Sequence, residues 1–335
     1  MSGSVFSLVI IALNQAALAL IIGVCCSRLW LLARHNPETD TTARLVHILG
    51  WALLLLLFSS LVTLLLRSAE MMELGLIEAL PFIPKVLTRS QFGALWQWQM
   101  TTWLGMALLW LWLWAWRRDG SNISYVITAV GAIITAFLFS SAGHAGDDGK
   151  LVLANMVNTL HITSACVWGG TVTVYAFSIL PGQLRQRPSS LPWTVASATR
   201  LSSIAGMALA VVLLTGLYNA WHYIDDITQL WRSDYGLTLL VKLLIVATMM
   251  TIGALNLFFF VPAIRHSGAE NITAVRRFLH VLRFDTGIFM LILLAAVILA
   301  SQAPPAHEDN AHHARHTQMP VTNTGNGTIT AFAIT

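Results

Sequence analysis

Residues 140–170 read SSAGHAGDDGKLVLANMVNTLHITSACVWGG, and this stretch joins two apolar segments through a short polar turn. His144 lies in the turn, and His161 lies inside the apolar run that follows it. An apolar run of this length predicts a membrane-spanning helix, and an ionisable or metal-binding side chain within such a helix is costly. The stretch therefore predicts the class of fold and provides the first candidate site.

The composition of the whole chain supports a membrane protein. Of 335 residues, 56% are hydrophobic and 10% are charged, and the mean hydropathy is +0.69. A soluble domain carries about 25% charged residues. The first apolar run is too long for a signal peptide and has no basic residues before it, so it is interpreted as a span. The three cysteines lie in apolar runs, which favours packing over disulfides.

Eight apolar runs are long enough to cross a hydrocarbon core, which takes about 20 residues per helix. Backbone groups in lipid must be paired within the segment, so the predicted fold is all-α, a polytopic membrane protein with eight transmembrane helices. Within a membrane domain of residues 1–303, the spans lie near 5–32, 46–66, 96–116, 123–141, 151–180, 201–221, 237–260 and 281–300. Tryptophans at the span ends indicate an aromatic belt: Trp30, Trp51, Trp96, Trp98, Trp114, Trp116, Trp193, Trp221 and Trp231.

The distribution of Lys and Arg predicts the orientation. Counted in chain order, the first, third, fifth and seventh connections between spans hold twelve of these residues. The second, fourth and sixth connections and the tail hold six. Positively charged loops stay in the cytoplasm, so both termini and the turn at His144 are expected on the outer side. The tail, residues 304–335, contains His307, Glu308 and further histidines before a Thr, Asn and Gly-rich end, and is expected to be disordered with weak metal affinity.

A short sequence repeat suggests two four-helix halves. The sequence Ser90-Gln91-Phe92-Gly93 precedes the third span, and Ser233-Asp234-Tyr235-Gly236 precedes the seventh, 143 residues later. Four helices per half would give both halves the same orientation, related by an axis along the membrane normal. A site between the halves is then expected.

The candidate ligands face the outer compartment. His161 is expected about 15 Å below the turn, with Asn158 one turn away as the partner that orients its ring. Imidazole suits copper, zinc and haem iron, and His with Met suits copper in particular. Lys242 is a basic residue within a span, and it either snorkels outward or repels cations. The remaining candidate metal ligands are His144, Asp147, Met156, His222 and His307.

Two other classes of function remain open on the residues alone. A haem between helices needs two histidines at matching depth, and His47 and His280 lie at the opposite end from His144 and His222. A receptor for a metal-carrying partner would need no transport path. Nucleotide-binding and nucleophile motifs are missing from the sequence, so an ATP-driven pump or an enzyme is not expected.

Several motifs taken together resemble the bacterial copper resistance protein D family. They are Gly143-His144-Ala145, Leu160-His161, Trp168-Gly169-Gly170, Thr215-Gly216-Leu217-Tyr218, Tyr235-Gly236-Leu237 with Lys242, and Pro304-Pro305. The resemblance implies a copper-handling protein of the bacterial inner membrane, beside a periplasmic copper-binding protein of the C family. The motif histidines correspond to His144 and His161.

The expected function is that of a permease rather than an enzyme. It would move copper ions between periplasm and cytoplasm, with His144 capturing the ion and His161 taking it into the bundle. Met156, His222 and Asp147 are secondary ligands in this hypothesis. The alternatives are a haem-containing redox protein and a non-transporting receptor for a periplasmic copper chaperone.

Overall fold

The computed structural model describes residues 5–32, 39–116, 121–141, 150–185, 191–223, 228–260, 262 and 272–302. Each predicted span corresponds to a helix, and no strand occurs in these ranges, which confirms the all-α prediction. The helices are α1 (Val5–Cys26), α2 (Thr39–Met72), α3 (Ile83–Arg89), α4 (Gln91–Ala115), α5 (Asn122–Ser141), α6 (Lys150–Val174), α7 (Leu180–Arg185), α8 (Leu191–Tyr223), α9 (Gln229–Arg232), α10 (Asp234–Leu255) and α11 (Ile272–Ala300).

Seven helices of the described part combine the length and hydropathy of a membrane span, so the chain is a multi-pass membrane protein. They are α1, α2, α5, α6, α8, α10 and α11. Helix α4, which corresponds to the third predicted span, is not among the seven. It has 25 residues, but its tryptophans and glutamines lower its mean hydropathy. The count of eight spans therefore stays a prediction.

Helices α1 and α6 form the centre of the bundle and are the most deeply buried of the seven. They cross where Gly23 meets Gly170, and a Cβ on either glycine would overlap the backbone of the opposite helix. Small residues allow such close approach, which increases van der Waals contact where lipid provides no hydrophobic driving force. The sequence Trp168-Gly169-Gly170 thus fixes the central helix pair.

One contact at each end of the bundle agrees with an alternating path for the helices concerned. At one end Arg200 Nη1 donates to the carbonyl oxygen of Leu31, at 3.0 Å. At the other end Gln302 Nε2 donates to Thr238 Oγ1, also at 3.0 Å. The π-helical turn that follows α1, Ser27–Leu31, thus lies against the first half of α8, and the residues after α11 lie against the start of α10. The end that faces the periplasm stays a prediction from the charge distribution.

A ladder of indole hydrogen bonds joins α4 to α2. Three tryptophans of α4, each seven residues apart, donate to carbonyl oxygens of α2 that are also seven residues apart. The bonds run from Trp96 to Ser60 at 3.1 Å, from Trp103 to Leu53 at 2.8 Å and from Trp110 to Val46 at 2.8 Å. The interpretation of Trp96 as part of an aromatic belt is therefore corrected, because its N–H bonds to another helix. Trp98 and Trp116 are exposed, as an aromatic belt requires.

The short sequence repeat corresponds to a repeated local structure. Ser90 Oγ accepts from the Gly93 N–H at 2.9 Å, and Ser233 Oγ accepts from the Gly236 N–H at 3.0 Å, so each serine caps a long helix. Each glycine also packs against the backbone of the short helix before it, where a Cβ would not fit. The repeat therefore marks the start of α4 and of α10, while the relation between whole halves stays a prediction.

Candidate metal site

His161 lies on the face of α6 that packs against α8, about 16 Å along the axis from the start of its helix. The side chain is partly buried, as expected for a group inside the bundle rather than on its lipid surface. Its Nδ1 is 2.9 Å from Thr215 Oγ1 on α8. The histidine that the sequence singled out is therefore held across an interface between two helices.

The hydrogen bonds of Thr215 favour one tautomer of His161. Thr215 Oγ1 donates its single proton to the carbonyl oxygen of Val211, at 2.6 Å, so towards the imidazole it acts as an acceptor. The N–H of His161 is thereby assigned to Nδ1, and the lone pair is on Nε2. A histidine whose Nδ1–H is held in this way presents Nε2 as a metal ligand.

Gly216 provides the space for the imidazole ring. A Cβ at this position would lie 3.3 Å from His161 Cε1 and 3.7 Å from its Nδ1. The first distance is tighter than ordinary van der Waals contact, so a larger residue would press on the ring. The neighbouring residues Thr215 and Gly216 therefore have complementary roles, one bonding the ring and the other admitting it.

Lys242 of α10 lies close enough to His161 to interact with it electrostatically. Within the described part of the chain, no hydrogen bond or ion pair joins Lys242 to another side chain. Three of the motifs that carry the family resemblance thus converge in space: Leu160-His161, Thr215-Gly216 and Lys242. Thr215 is not among the residues that the sequence predicts as partners of His161. It belongs, however, to the motif Thr215-Gly216-Leu217-Tyr218, which could have indicated it.

The predicted role of Asn158 is wrong. Asn158 Nδ2 donates to Ser140 Oγ at 2.8 Å, and Asn155 Nδ2 donates to Ser141 Oγ at 2.7 Å. These two bonds tie the beginning of α6 to the end of α5. Asn158 is therefore a contact between these helices, and Thr215 takes the place that was predicted for it beside His161.

The other predicted ligands are not brought to His161 by the described residues. Met156 is 57% exposed, and five residues of helix place it about 140° around α6 from His161. His144, Asp147 and His307 lie outside the described residues, as does the side chain of His222. In the ranges that the structure describes, no group of three or more His, Cys, Asp or Glu side chains is arranged to hold a metal ion.

The described histidines do not form a pair suited to haem. His47 and His280 are both exposed, and His47 Nδ1 is 2.7 Å from the carbonyl oxygen of Ala43 in its own helix. Among the side chains that the structure describes, His161 is the one histidine inside the bundle. Axial ligation by two imidazoles would need a second one at the same depth.

Comparison with known proteins gives two complementary family matches. The family described as "Copper resistance protein D-like, N-terminal domain" matches residues 4–153, and "Copper resistance protein D" matches residues 195–299. A relative from Bacillus subtilis (strain 168), "Copper transport protein CutJ", is 27% identical over 163 residues. The alignment covers 49% of this chain and 28% of that relative, so the chain spans less than a third of its length. No solved structure matches the chain.

Proposed function

Because this chain belongs to the copper resistance protein D family, we propose that it moves copper ions between the periplasm and the cytoplasm through a path on which His161 is an interior ligand. The observation that carries the proposal is the bond from His161 Nδ1 to Thr215, which leaves Nε2 free to bind. A copper ion is the transported substrate here, and imidazole is one of its preferred ligands.

A path through a membrane requires binding that is strong enough to admit the ion and weak enough to release it. His161 provides one preorganised nitrogen, which replaces part of the hydration of the ion. The nearby ammonium group of Lys242 opposes a second positive charge and so limits residence at the site. A single ligand beside a positive charge suits passage of an ion better than its storage.

The outer part of the proposed path uses the histidines and carboxylates of the sequence hypothesis. His144 captures the ion at the mouth, with Asp147, Met156 and His222 as secondary ligands. The chain lies in the bacterial inner membrane with both termini in the periplasm, where the tail around His307 collects copper. A periplasmic copper-binding protein of the C family delivers it.

The first experiment is a copper titration of the purified chain in detergent or nanodiscs, comparing wild type with His161→Gln and His280→Gln. Glutamine removes the imidazole lone pair but keeps a polar side chain of similar length. His161→Gln is expected to weaken copper binding about tenfold or more, since a ligand is lost, while the exposed His280 serves as the matched control. Equal affinity of all three proteins would reject His161 as a ligand.

An absorption spectrum of the same sample with a Soret band would indicate the haem alternative.

A further inference from the structure

A buried carboxylate lies in α11, about 20 Å deeper along the bundle than His161 at the helical rise per residue. Asp285 is 4% exposed, and the residues one turn before and after it, Leu282 and Phe289, are also buried. Arg283 lies over the ring of Phe177, so this part of α11 is level with the end of α6. A carboxylate at this depth is a candidate for a functional group because its charge is costly there.

Asp285 is bonded to an amide rather than to a cation. Asn256 Nδ2 donates to Asp285 Oδ2 at 3.1 Å, and Asn256 is itself only 6% exposed. No Lys, Arg or His of the described residues forms an ion pair with Asp285. One amide hydrogen bond is a weak compensation for a full negative charge in a low-dielectric interior.

The second oxygens of this pair are both unsatisfied. Asp285 Oδ1 and Asn256 Oδ1 are buried, and neither has a hydrogen-bond partner among the described residues. Two acceptors cannot satisfy each other, and an unpaired buried acceptor is unfavourable. A proton on Asp285 Oδ1 solves both problems together, because a carboxylic acid donates its O–H and can bond the amide carbonyl oxygen.

The backbone around the pair is irregular on two sides. Asn256 begins a π-helical turn, Asn256–Phe260, and α6 ends in another, Tyr175–Ile179; both turns pack against α11. Single π-helical turns occur frequently at functional sites, and irregular backbone at membrane depth commonly lines a binding site. This is a second observation, independent of the side chains, that marks the region around Asp285.

The titratable groups on the packed elements do not neutralise Asp285. The nearest on α11 is Arg283, which lies over Phe177. Helix α10 carries Lys242, about 21 Å along the axis from Asn256. The hydroxyl of Tyr175, on the π-helical turn after α6, is bonded to Ser197 Oγ at 2.9 Å. The remaining titratable groups with described side chains on these elements are the thiols Cys25 and Cys26 of α1, His161 and the thiol Cys166 of α6, Asp234 and Tyr235 at the start of α10, and the exposed Arg185 of α7.

We propose that Asp285 and Asn256 form a proton-binding site inside the membrane, in which Asp285 holds a proton on Oδ1 and donates it to the carbonyl oxygen of Asn256. Proton uptake converts the carboxylate to the neutral acid, and release returns the proton to water. The inner part of the bundle thereby contains a carboxyl group that can exchange a proton. The proposal is independent of copper, since it concerns the resting protein.

Infrared difference spectroscopy of the full chain in lipid nanodiscs, without copper, tests the proposal. The wild-type protein is expected to show the carbonyl stretch of a protonated carboxylic acid at neutral pH, shifted in D₂O. The band should be lost in Asp285→Asn and retained in Asp234→Asn, which removes an exposed carboxyl in the first turn of α10. Absence of the band from wild type, or its persistence in Asp285→Asn, would overturn the proposal.

A second variant keeps the test decisive if Asp285→Asn does not fold. Asn256→Ala leaves the acid in place but removes both its acceptor and the Nδ2 donor to Oδ2, so the band should remain and move to higher frequency as these hydrogen bonds are lost. An unchanged frequency would show that the two groups do not share the proton. A band that appears in wild type only when Na⁺ and K⁺ are withdrawn would assign the two oxygens to a metal cation and overturn the proton assignment.

Discussion

At the scale of single residues, the properties of His161 depend on its two neighbours on α8. Thr215 accepts from Nδ1 and so directs the lone pair of Nε2 away from α8, while Gly216 leaves the ring room to lie against the helix. An imidazole without such a partner would exchange tautomers and rotate about its side-chain bonds. The affinity of the proposed site therefore depends on three residues rather than on one.

Removal of the threonine hydroxyl tests the role of the tautomer. Thr215→Val keeps the branched shape but removes the acceptor for Nδ1–H, so copper affinity is expected to fall about 10- to 100-fold. Thr199→Val is the matched control on the same helix, because among the described residues Thr199 Oγ1 bonds only to the carbonyl oxygen of Val195. Equal copper affinities in a titration of the two variants would contradict the assigned role of Thr215.

A methyl group at Gly216 tests the fit of the ring. Gly216→Ala would place a Cβ 3.3 Å from His161 Cε1 and displace the imidazole, so copper binding is expected to weaken severalfold. Gly206→Ala on the same helix meets no atom within 4 Å and should leave binding unchanged. If both variants bind copper like wild type, the close packing of Gly216 has no bearing on the site.

At the scale of helices, the crossing of α1 and α6 is the contact on which the bundle is built. Gly170→Ala would drive a Cβ into the carbonyl group of Ala19, and separation of the helices is expected to cost about 1–3 kcal/mol or more. A thermal unfolding scan in detergent should show a lower midpoint for this variant. Gly105→Ala, which meets no atom within 4 Å, provides the control, and an equal midpoint for both variants would show that the crossing tolerates a methyl group.

The sequence predicted the helices well because the length of an apolar run is a local property. The run before Ser141 and the run after Lys150 both appear as helices at nearly the predicted residues. Partners across helices depend on rotation and register, which no single run contains. Asn158 was therefore assigned to His161, although the structure pairs it with Ser140. Its position near a span end likewise predicts that Trp96 lies at the membrane–water interface, although its N–H bonds to α2.

At the scale of the whole molecule, residues far apart in sequence meet at two levels of one bundle. His161, Thr215 and Lys242 come from three helices and meet in the half that begins at the start of α6. Asp285 and Asn256 meet deeper, near the end of α6. The family motifs indicated the first group by their order along the chain. The group of Asp285 and Asn256 could have been indicated by the sequence too, because Asp285 is a carboxyl residue inside an apolar run predicted to span the membrane.

Transport through His161 is tested most directly by copper flux into sealed proteoliposomes that contain wild type, His161→Gln or His280→Gln. Flux is expected for wild type and His280→Gln, and a loss of at least about tenfold for His161→Gln at equal protein content, since an interior ligand of the path is missing. Equal flux in all three preparations would contradict a path through His161. Copper binding without flux in wild type would contradict transport itself and identify a receptor.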